Sequence, residues 1–425
     1  MTCEIKNTKE VLEHYSKLPD AHQSWWQLAA IQLTGMTSLP ILIGSVLIIQ
    51  NSNIMSAIIT LIIGNALLWL IRFGIISMSS EGRKSALDIT YDYFGKVGAY
   101  FIAILLLAST LAWFVMQTTL ASNALSYLVP IEKGLNINLF MQIGVLIGIL
   151  STLFCMNGIV VIRWVSIISL PILIIAFIGI MFGSHPTIPA KITNGISISG
   201  LPIILGTSLG ITVDIPTFFR HSKSKKDSIN ALTLIQILGF AIGLGGIFLG
   251  SVIEPWIGIK TDNVLIAHDH LLKYSLIAFI FISAICANIS NVYSSSVGWE
   301  LIAPIFAGVK EYLILGLGLS ISFIMIANIF SMEMLASITD SSLTNLCLVF
   351  VIAYLIKLFN KRMPNFLEKG TYFLAWLFSS SINILQIFKI IKVSFSTLCV
   401  GFCVIVLTLF FFLLLAHITK QQGKI

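Results

Sequence analysis

The sequence contains few charged residues. Only 10% of its 425 residues are Asp, Glu, Lys or Arg, whereas a soluble globular protein carries about 25%. So few charged side chains cannot cover the surface of a water-soluble chain of this length, which excludes a soluble enzyme and a nucleic-acid-binding protein. Hydrophobic residues make up 57% of the chain, and at about 20 residues per crossing they suffice for about twelve membrane spans. The composition predicts an all-α integral membrane protein.

Cysteine pairs and catalytic motifs are also missing. The six cysteines are scattered, without the spacing of a disulfide framework or a metal site. The sequence has no Gly-Lys-Ser/Thr phosphate loop and no HExxH motif, so an ATP-driven pump and an enzyme are not expected. An integral-membrane enzyme would need metal or carboxylate clusters at one membrane face. No cofactor is predicted, and an ion gradient remains as the energy source.

Hydropathy and charge together predict the topology. The apolar segments lie at residues 25–49, 54–78, 97–128, 139–161, 164–182, 197–219, 229–252, 273–298, 312–332, 335–358, 371–391 and 395–417. With both termini in the cytoplasm, eighteen Lys and Arg residues fall on the cytoplasmic side and six on the other, as the positive-inside rule requires. We expect a multi-pass protein of the cytoplasmic (inner) membrane, with cytoplasmic tails at 1–24 and 418–425 and no cleavable signal.

Spans 1 and 6 differ from simple lipid-facing helices because polar and helix-breaking residues interrupt them. Span 1 (25–49) runs through Gly35 to Pro40, and span 6 (197–219) contains Pro202 and three glycines. Such breaks persist in a bilayer mainly where they line a cavity, and a matched pair in two halves is typical of inverted-repeat transporters. We predict a ten-helix, five-plus-five core at 25–358, with repeats at 25–182 and 197–358 and two additional helices at 371–417. The alternative is that small residues only let helices pack closely.

Span 3 carries an aromatic ring and an amide on one helix face. Trp113 and Gln117 are four residues apart, and Thr110 lies one turn earlier on that face. A tryptophan ring stacks on a flat ligand while an amide hydrogen-bonds the ligand's edge. The pair suits a planar, polar-edged ligand. A packing tryptophan beside a helix-bridging glutamine is the other interpretation.

Span 8 contains Asn288 and Asn291 among several hydroxyl residues. Amides inside a membrane helix either face a cavity or bond a neighbouring helix. For Asn288 we favour the cavity role, and for Asn291 both roles stay open.

Ionisable residues also fall inside the predicted spans. Asp214 lies toward the cytoplasmic end of span 6, and Arg220 follows it six residues later. We interpret these two as an ion pair of a gate. Arg72 in span 2 and Asp340 in span 10 are further charged residues in the membrane, where such groups are functional candidates.

The order of several short motifs resembles a known family. These are Gly64-Asn65, Tyr93 to Lys96, Ala112-Trp113-Phe114, the broken span 6 ending in Asp214, and Asn288 to Ser295. Over spans 1 to 8 the chain is similar to the nucleobase:cation symporters of the purine–cytosine permease type. The resemblance implies a twelve-helix inverted-repeat transporter with broken helices 1 and 6. It also implies import of a nucleobase or related heterocycle, such as cytosine, a purine or a hydroxymethylpyrimidine-like ring.

The resemblance also implies the site residues. Trp113 matches the family's stacking tryptophan, and the other expected substrate contacts are Thr110, Gln117, Asn288, Asn291, Gly35 and, at the break of span 6, Thr207 and Ser208. No second stacking aromatic is present near Thr207.

A coupling-cation site is implied between spans 1 and 8, at Gln32, Gly35, Ser283 and Ala287. Two hydroxyl residues of sodium-coupled members are replaced by Cys286 and Ala287. Because sodium is a hard cation that prefers oxygen ligands, the coupling ion is open between Na⁺ and H⁺.

The expected activity is cation symport with alternating access, in a monomer whose partners are the lipid bilayer and a small heterocycle, without nucleic acid. The alternative on the same fold is an amino-acid permease, which Gly35 in span 1 would allow and Trp113 argues against. A channel would lack alternating access.

Overall fold

Helices make up all regular structure in the described part of the chain. The computed structural model describes residues 22–36, 44–45, 47–49, 53–129, 138–156, 158–183, 200–249, 270–303, 309–326, 332–360 and 364–422. The helices are α1 (Trp25–Met36), α2 (Ile54–Ser80), α3 (Ala86–Leu128), α4 (Leu139–Cys155), α5 (Ile159–Gly183), α6 (Leu201–Thr212), α7 (Ile215–Phe219), α8 (Lys225–Phe248), α9 (His270–Ile302), α10 (Val309–Ile326), α11 (Met332–Asn360), α12 (Phe366–Ile387) and α13 (Thr397–Gln422).

Six of these helices are long and apolar enough to cross a membrane, namely α2, α3, α5, α8, α9 and α11. Four shorter apolar helices are α4, α6 and segments of α10 and α13. This agrees with an all-helical membrane protein. The count of twelve spans and the division into two repeats stay predictions. Residues 1–21 of the expected N-terminal tail lie outside the described residues, as do residues 37–43 of the expected break in span 1.

Helix α3 begins earlier than the hydropathy predicted. It starts at Ala86 rather than at residue 97, because Ser85 and Asp88 form a reciprocal capping box that satisfies the first backbone N–H groups. Gly95, with a φ of 76°, kinks the helix at the predicted boundary. Hydropathy detects the apolar part of α3, whereas the cap determines where the helix begins.

The connection between α4 and α5 also differs from the expectation. Helix α4 ends at Cys155 and α5 begins at Ile159, since Gly158 adopts a φ of 60° that reverses the chain. Arg163, assigned to a cytoplasmic loop from the sequence, therefore lies inside α5, where its guanidinium packs over the Trp164 ring.

The break in span 6 lies later than expected. Thr207 and Ser208 are inside α6, and the helix is interrupted at Val213 and Asp214 before α7 begins. Pro216, in the first turn of α7, explains the position because it lacks a backbone N–H for the preceding turn. Gly206 and Gly210 are accommodated within the helix.

The packing places a cavity between two hydrophobic clusters. Helix α9 contacts α1, α3, α4 and α5, and α6 contacts α2 and α11. One cluster contains buried residues of α1, α5, α8 and α9, and the other contains buried residues of α2, α6, α11 and α12. Side chains from both clusters, such as Leu33 and Ile204, line the cavity. Helices α1, α3, α6 and α9 thus surround a common space.

Candidate functional site

The cavity between the two clusters has a volume of about 210 Å³. Its walls are formed mostly by apolar side chains, as in small-molecule sites generally. The polar residues that line it are Gln32, Ser45, Asn65, Arg72, Trp113, Gln117, Thr207, Ser208, Asp214, Gln236, Ser290, Asn291 and Ser294. The cavity thus offers both apolar surface and polar groups to a small ligand.

Trp113 lies in the wall contributed by α3. Its side chain is partly buried, and its Nε1 donates a 2.6 Å hydrogen bond to Oδ1 of Asp340 on α11. Asp340 thereby orients the indole. The position of Asp340 inside a predicted span is visible in the sequence. Its pairing with Trp113 is not, because 227 residues separate the two.

Gln117 and Asn291 join α3 to α9 beside the ring. The Nδ2 of Asn291 donates to Oε1 of Gln117 at 3.3 Å, and both residues line the cavity. The structure therefore brings together Trp113, Gln117 and Asn291 from the predicted substrate contacts. Whether they contact a substrate stays a prediction.

Three predicted residues lie away from the cavity. Asn288 is fully buried and donates to Oγ1 of Thr118 at 2.8 Å, which connects α9 to α3. The hydroxyls of Thr110 and Ser283 donate to backbone carbonyls of their own helices, at 2.7 and 3.2 Å. None of the three is among the lining residues. Asn288 thus has a helix-bridging geometry in this structure, rather than the cavity-facing position favoured from the sequence.

Three of the four residues expected at a cation site line the cavity, and Ser283 does not. Gln32 and Gly35 of α1 line the cavity with Ala287 of α9. The two helices approach closely, since a Cβ added at Gly35 would lie 2.7 Å from Oγ of Ser290. Behind them, the hydroxyls of Thr34 and Ser166 are hydrogen-bonded at 3.0 Å. Among the residues that the structure describes, no group of three His, Cys, Asp or Glu side chains is placed to bind a metal.

Thr207 and Ser208 line the cavity from within α6. The Thr207 hydroxyl is bonded to the carbonyl of Ile203, and the Ser208 carbonyl accepts from the Thr212 hydroxyl. These two residues therefore lie within a continuous helix, rather than at the break of span 6 where the sequence predicted them.

Asp214 does not pair with Arg220. It lies at the interruption between α6 and α7, lines the cavity, and accepts a hydrogen bond from the hydroxyl of Ser294 on α9. Arg220, at the other end of α7, is buried and donates from Nε to Nε2 of His221 at 3.3 Å. The intervening helix separates the two charges, so the predicted gate pair is replaced by a contact between Asp214 and Ser294.

Arg72 is a lining residue whose role the sequence did not indicate. It is only 1% exposed, and its Nε donates to Oγ1 of Thr212 at 3.1 Å. Its Nη1 donates to Oε1 of Gln236 on α8 at 3.2 Å. Both partners are neutral.

No family model matches this sequence, and no curated protein matches it. Solved structures do match. One is Mhp1, a nucleobase-cation-symport-1 family transporter, in a closed conformation with bromovinylhydantoin bound. It superposes with a TM-score of 0.64 at 15% sequence identity, over 93% of this chain and 94% of that one. A second is a Na⁺-coupled sialic acid symporter in a substrate-bound, outward-open state. It superposes with a TM-score of 0.67 at 14% sequence identity, over 94% of both chains.

A manganese transporter of Eremococcus coleocola gives a TM-score of 0.55 at 14% identity, over 92% of this chain and 94% of that one. At such identities the likeness concerns the fold. The chain has the fold of membrane transporters, and the resemblance to the nucleobase–cation symporters is confirmed at that level.

Proposed function

We propose that the protein is a secondary active transporter that imports a planar heterocycle, either a nucleobase or a related ring, by cation symport with alternating access. The observation that carries the proposal is the convergence of Trp113, Gln117 and Asn291 on one cavity, within a transporter fold. The transport core would comprise residues 25–358, in two repeats.

In this proposal the ligand ring stacks on Trp113, and the amides of Gln117 and Asn291 bond its edge. Stacking on an aromatic side chain stabilises a bound base by about 1–3 kcal/mol, and the amides supply both donors and acceptors. Thr207 and Ser208 would face the ligand from α6. The coupling cation would bind near Gln32 and Gly35, or be replaced by a proton.

An amino-acid permease is the second candidate. Arg72 and Asp214 both line the cavity, and opposite charges in one cavity also suit a zwitterion. The large ring of Trp113 in the same wall favours the heterocycle.

The test is a thermal-shift screen of the purified protein against nucleobases, a hydroxymethylpyrimidine and amino acids, followed by counterflow of the labelled hit in proteoliposomes. We expect a heterocycle to raise the melting temperature and to support counterflow, which a channel cannot do. The proposal fails if only amino acids stabilise the protein, or if flux occurs without counterflow.

Substitution of Trp113 tests the stacking role, and Trp164 provides the matched control. Trp113→Ala should raise the Kd by roughly 5- to 150-fold, the equivalent of 1–3 kcal/mol. Trp164→Ala removes the same side chain from an exposed position on α5 and should leave the Kd unchanged. Trp113→Phe keeps a stacking ring and should retain most of the affinity.

A further inference from the structure

Arg72 lies deep within α2. It is eight residues from the C-terminal residue Ser80, about 12 Å along the helix axis, and it is the largest side chain in the described structure with less than 2% exposure. A guanidinium cannot lose its proton in a protein, so the charge must be stabilised where it is. Intramembrane arginines are costly and usually mark a substrate or ion pathway.

No described carboxylate forms an ion pair with Arg72. Asp214 is held by Ser294 and Asp340 by Trp113, and neither lies within 4.0 Å of the guanidinium. The two hydrogen bonds that Arg72 does form go to the neutral side chains of Thr212 and Gln236. The positive charge is therefore hydrogen-bonded but not neutralised by the described residues.

Arg72 and its partner Gln236 each have a buried donor without an acceptor among the described residues. These donors are Nη2 of Arg72 and Nε2 of Gln236. The orientation of the Gln236 amide follows from its partner, because Arg72 is donor-only and must face the amide oxygen. Both residues line the cavity. The missing element is an acceptor, preferably an anionic one.

We propose that Arg72 and Gln236 bind an acidic group of the transported ligand, a carboxylate or an anionic ring edge. A carboxylate has two acceptor oxygens that match the guanidinium fork, and it neutralises the charge that the protein leaves unpaired. This proposal rests on the proposed function and narrows its substrate class from neutral to acidic planar rings. A structural role, in which Arg72 only connects α2 to α6 and α8, makes the opposite predictions.

The experiment compares matched ligands that differ by one carboxylate. Uracil and 6-carboxyuracil form one pair, and benzamide and benzoate form another that lacks a heterocycle. Binding to the purified full-length protein is measured by isothermal titration calorimetry. We expect each carboxylate to bind at least about tenfold more tightly than its neutral partner, a difference of about 1.4 kcal/mol.

Two variants assign the preference to Arg72. Arg72→Met should abolish the preference for 6-carboxyuracil over uracil. Gln236→Glu should abolish it too, because the new carboxylate pairs with Arg72 from inside the protein. This second variant tests the proposal even if Arg72→Met does not fold. Lys225→Gln removes a cation from an exposed position at the start of α8 and should change neither affinity.

The outcomes separate the two proposals. Equal affinity for uracil and 6-carboxyuracil in the unmodified protein, or a preference that survives both variants, overturns the role of Arg72 and leaves the heterocycle transporter in place. Benzoate binding that depends on Arg72, without binding of either pyrimidine, supports the acidic site and overturns the heterocycle. No binding of any of the four ligands overturns the role of Arg72, and the heterocycle transporter is then decided by the nucleobase screen.

Discussion

The indole Nε1 of Trp113 donates a 2.6 Å hydrogen bond to Oδ1 of Asp340, which connects α3 to α11 at the cavity wall. The ring proposed to stack on the ligand is thus oriented by a carboxylate from a helix that sequence analysis did not connect with it. A stacking platform needs a defined ring plane, so the quality of the platform should depend on Asp340.

Asp340→Ala should weaken ligand binding by about 1–3 kcal/mol, since the indole loses its acceptor and can rotate. Asp340→Asn keeps an acceptor oxygen and should retain most of the affinity. Thermal shift and calorimetry with the ligand identified in the screen measure both effects. If the two substitutions weaken binding equally, the charge of Asp340 matters more than its role in orienting the ring.

The contact between Gln117 and Asn291 predicts energetic coupling. Gln117→Leu and Asn291→Leu each remove one amide from the cavity wall, and each leaves the other without its 3.3 Å partner. In a double-mutant cycle on ligand affinity, we expect a coupling of about 0.5–1.5 kcal/mol. Additive losses would mean that the two amides contact the ligand independently.

The close approach of α1 and α9 predicts a sensitive glycine. A Cβ at Gly35 would lie 2.7 Å from Oγ of Ser290, whereas a Cβ at Gly206 meets nothing within 4 Å. Gly35→Ala should therefore lower the melting temperature and the transport rate, and Ser290→Gly should restore them. Gly206→Ala is the control, which should be neutral or stabilise α6 by up to about 1 kcal/mol. Equal effects at the two glycines would contradict the close packing.

The replacement of hydroxyl residues in α9 predicts ligand binding that does not depend on sodium. The thiol of Cys286 lies against the hydroxyls of Thr34 and Ser169, and Ala287 offers no oxygen in its side chain. We expect the ligand-induced thermal shift to be the same in sodium and choline chloride. The double variant Cys286→Ser and Ala287→Ser adds oxygen ligands and should make the shift sodium-dependent. A sodium requirement in the unmodified protein would contradict this prediction.

Several features of the fold and site were accessible from the sequence because they are local. The face shared by Trp113 and Gln117 follows from helical periodicity. An interruption of span 6 was also expected, but at Thr207 and Ser208, whereas Pro216 places it at Val213 and Asp214. The exact boundaries were not accessible where a polar cap or a glycine turn determines them, as at Ser85 and Gly158.

The composition by itself determined that this chain is an all-helical membrane protein, because in a bilayer the backbone must satisfy its own hydrogen bonds. Only the tertiary structure decided which polar side chains meet. It placed Asn291 at the cavity and Asn288 behind it, paired Trp113 with Asp340, and left Arg72 beside neutral partners. A helix that is apolar on most sides carries no periodic signal for its rotation, so packing against neighbouring helices selects the residues that face the cavity.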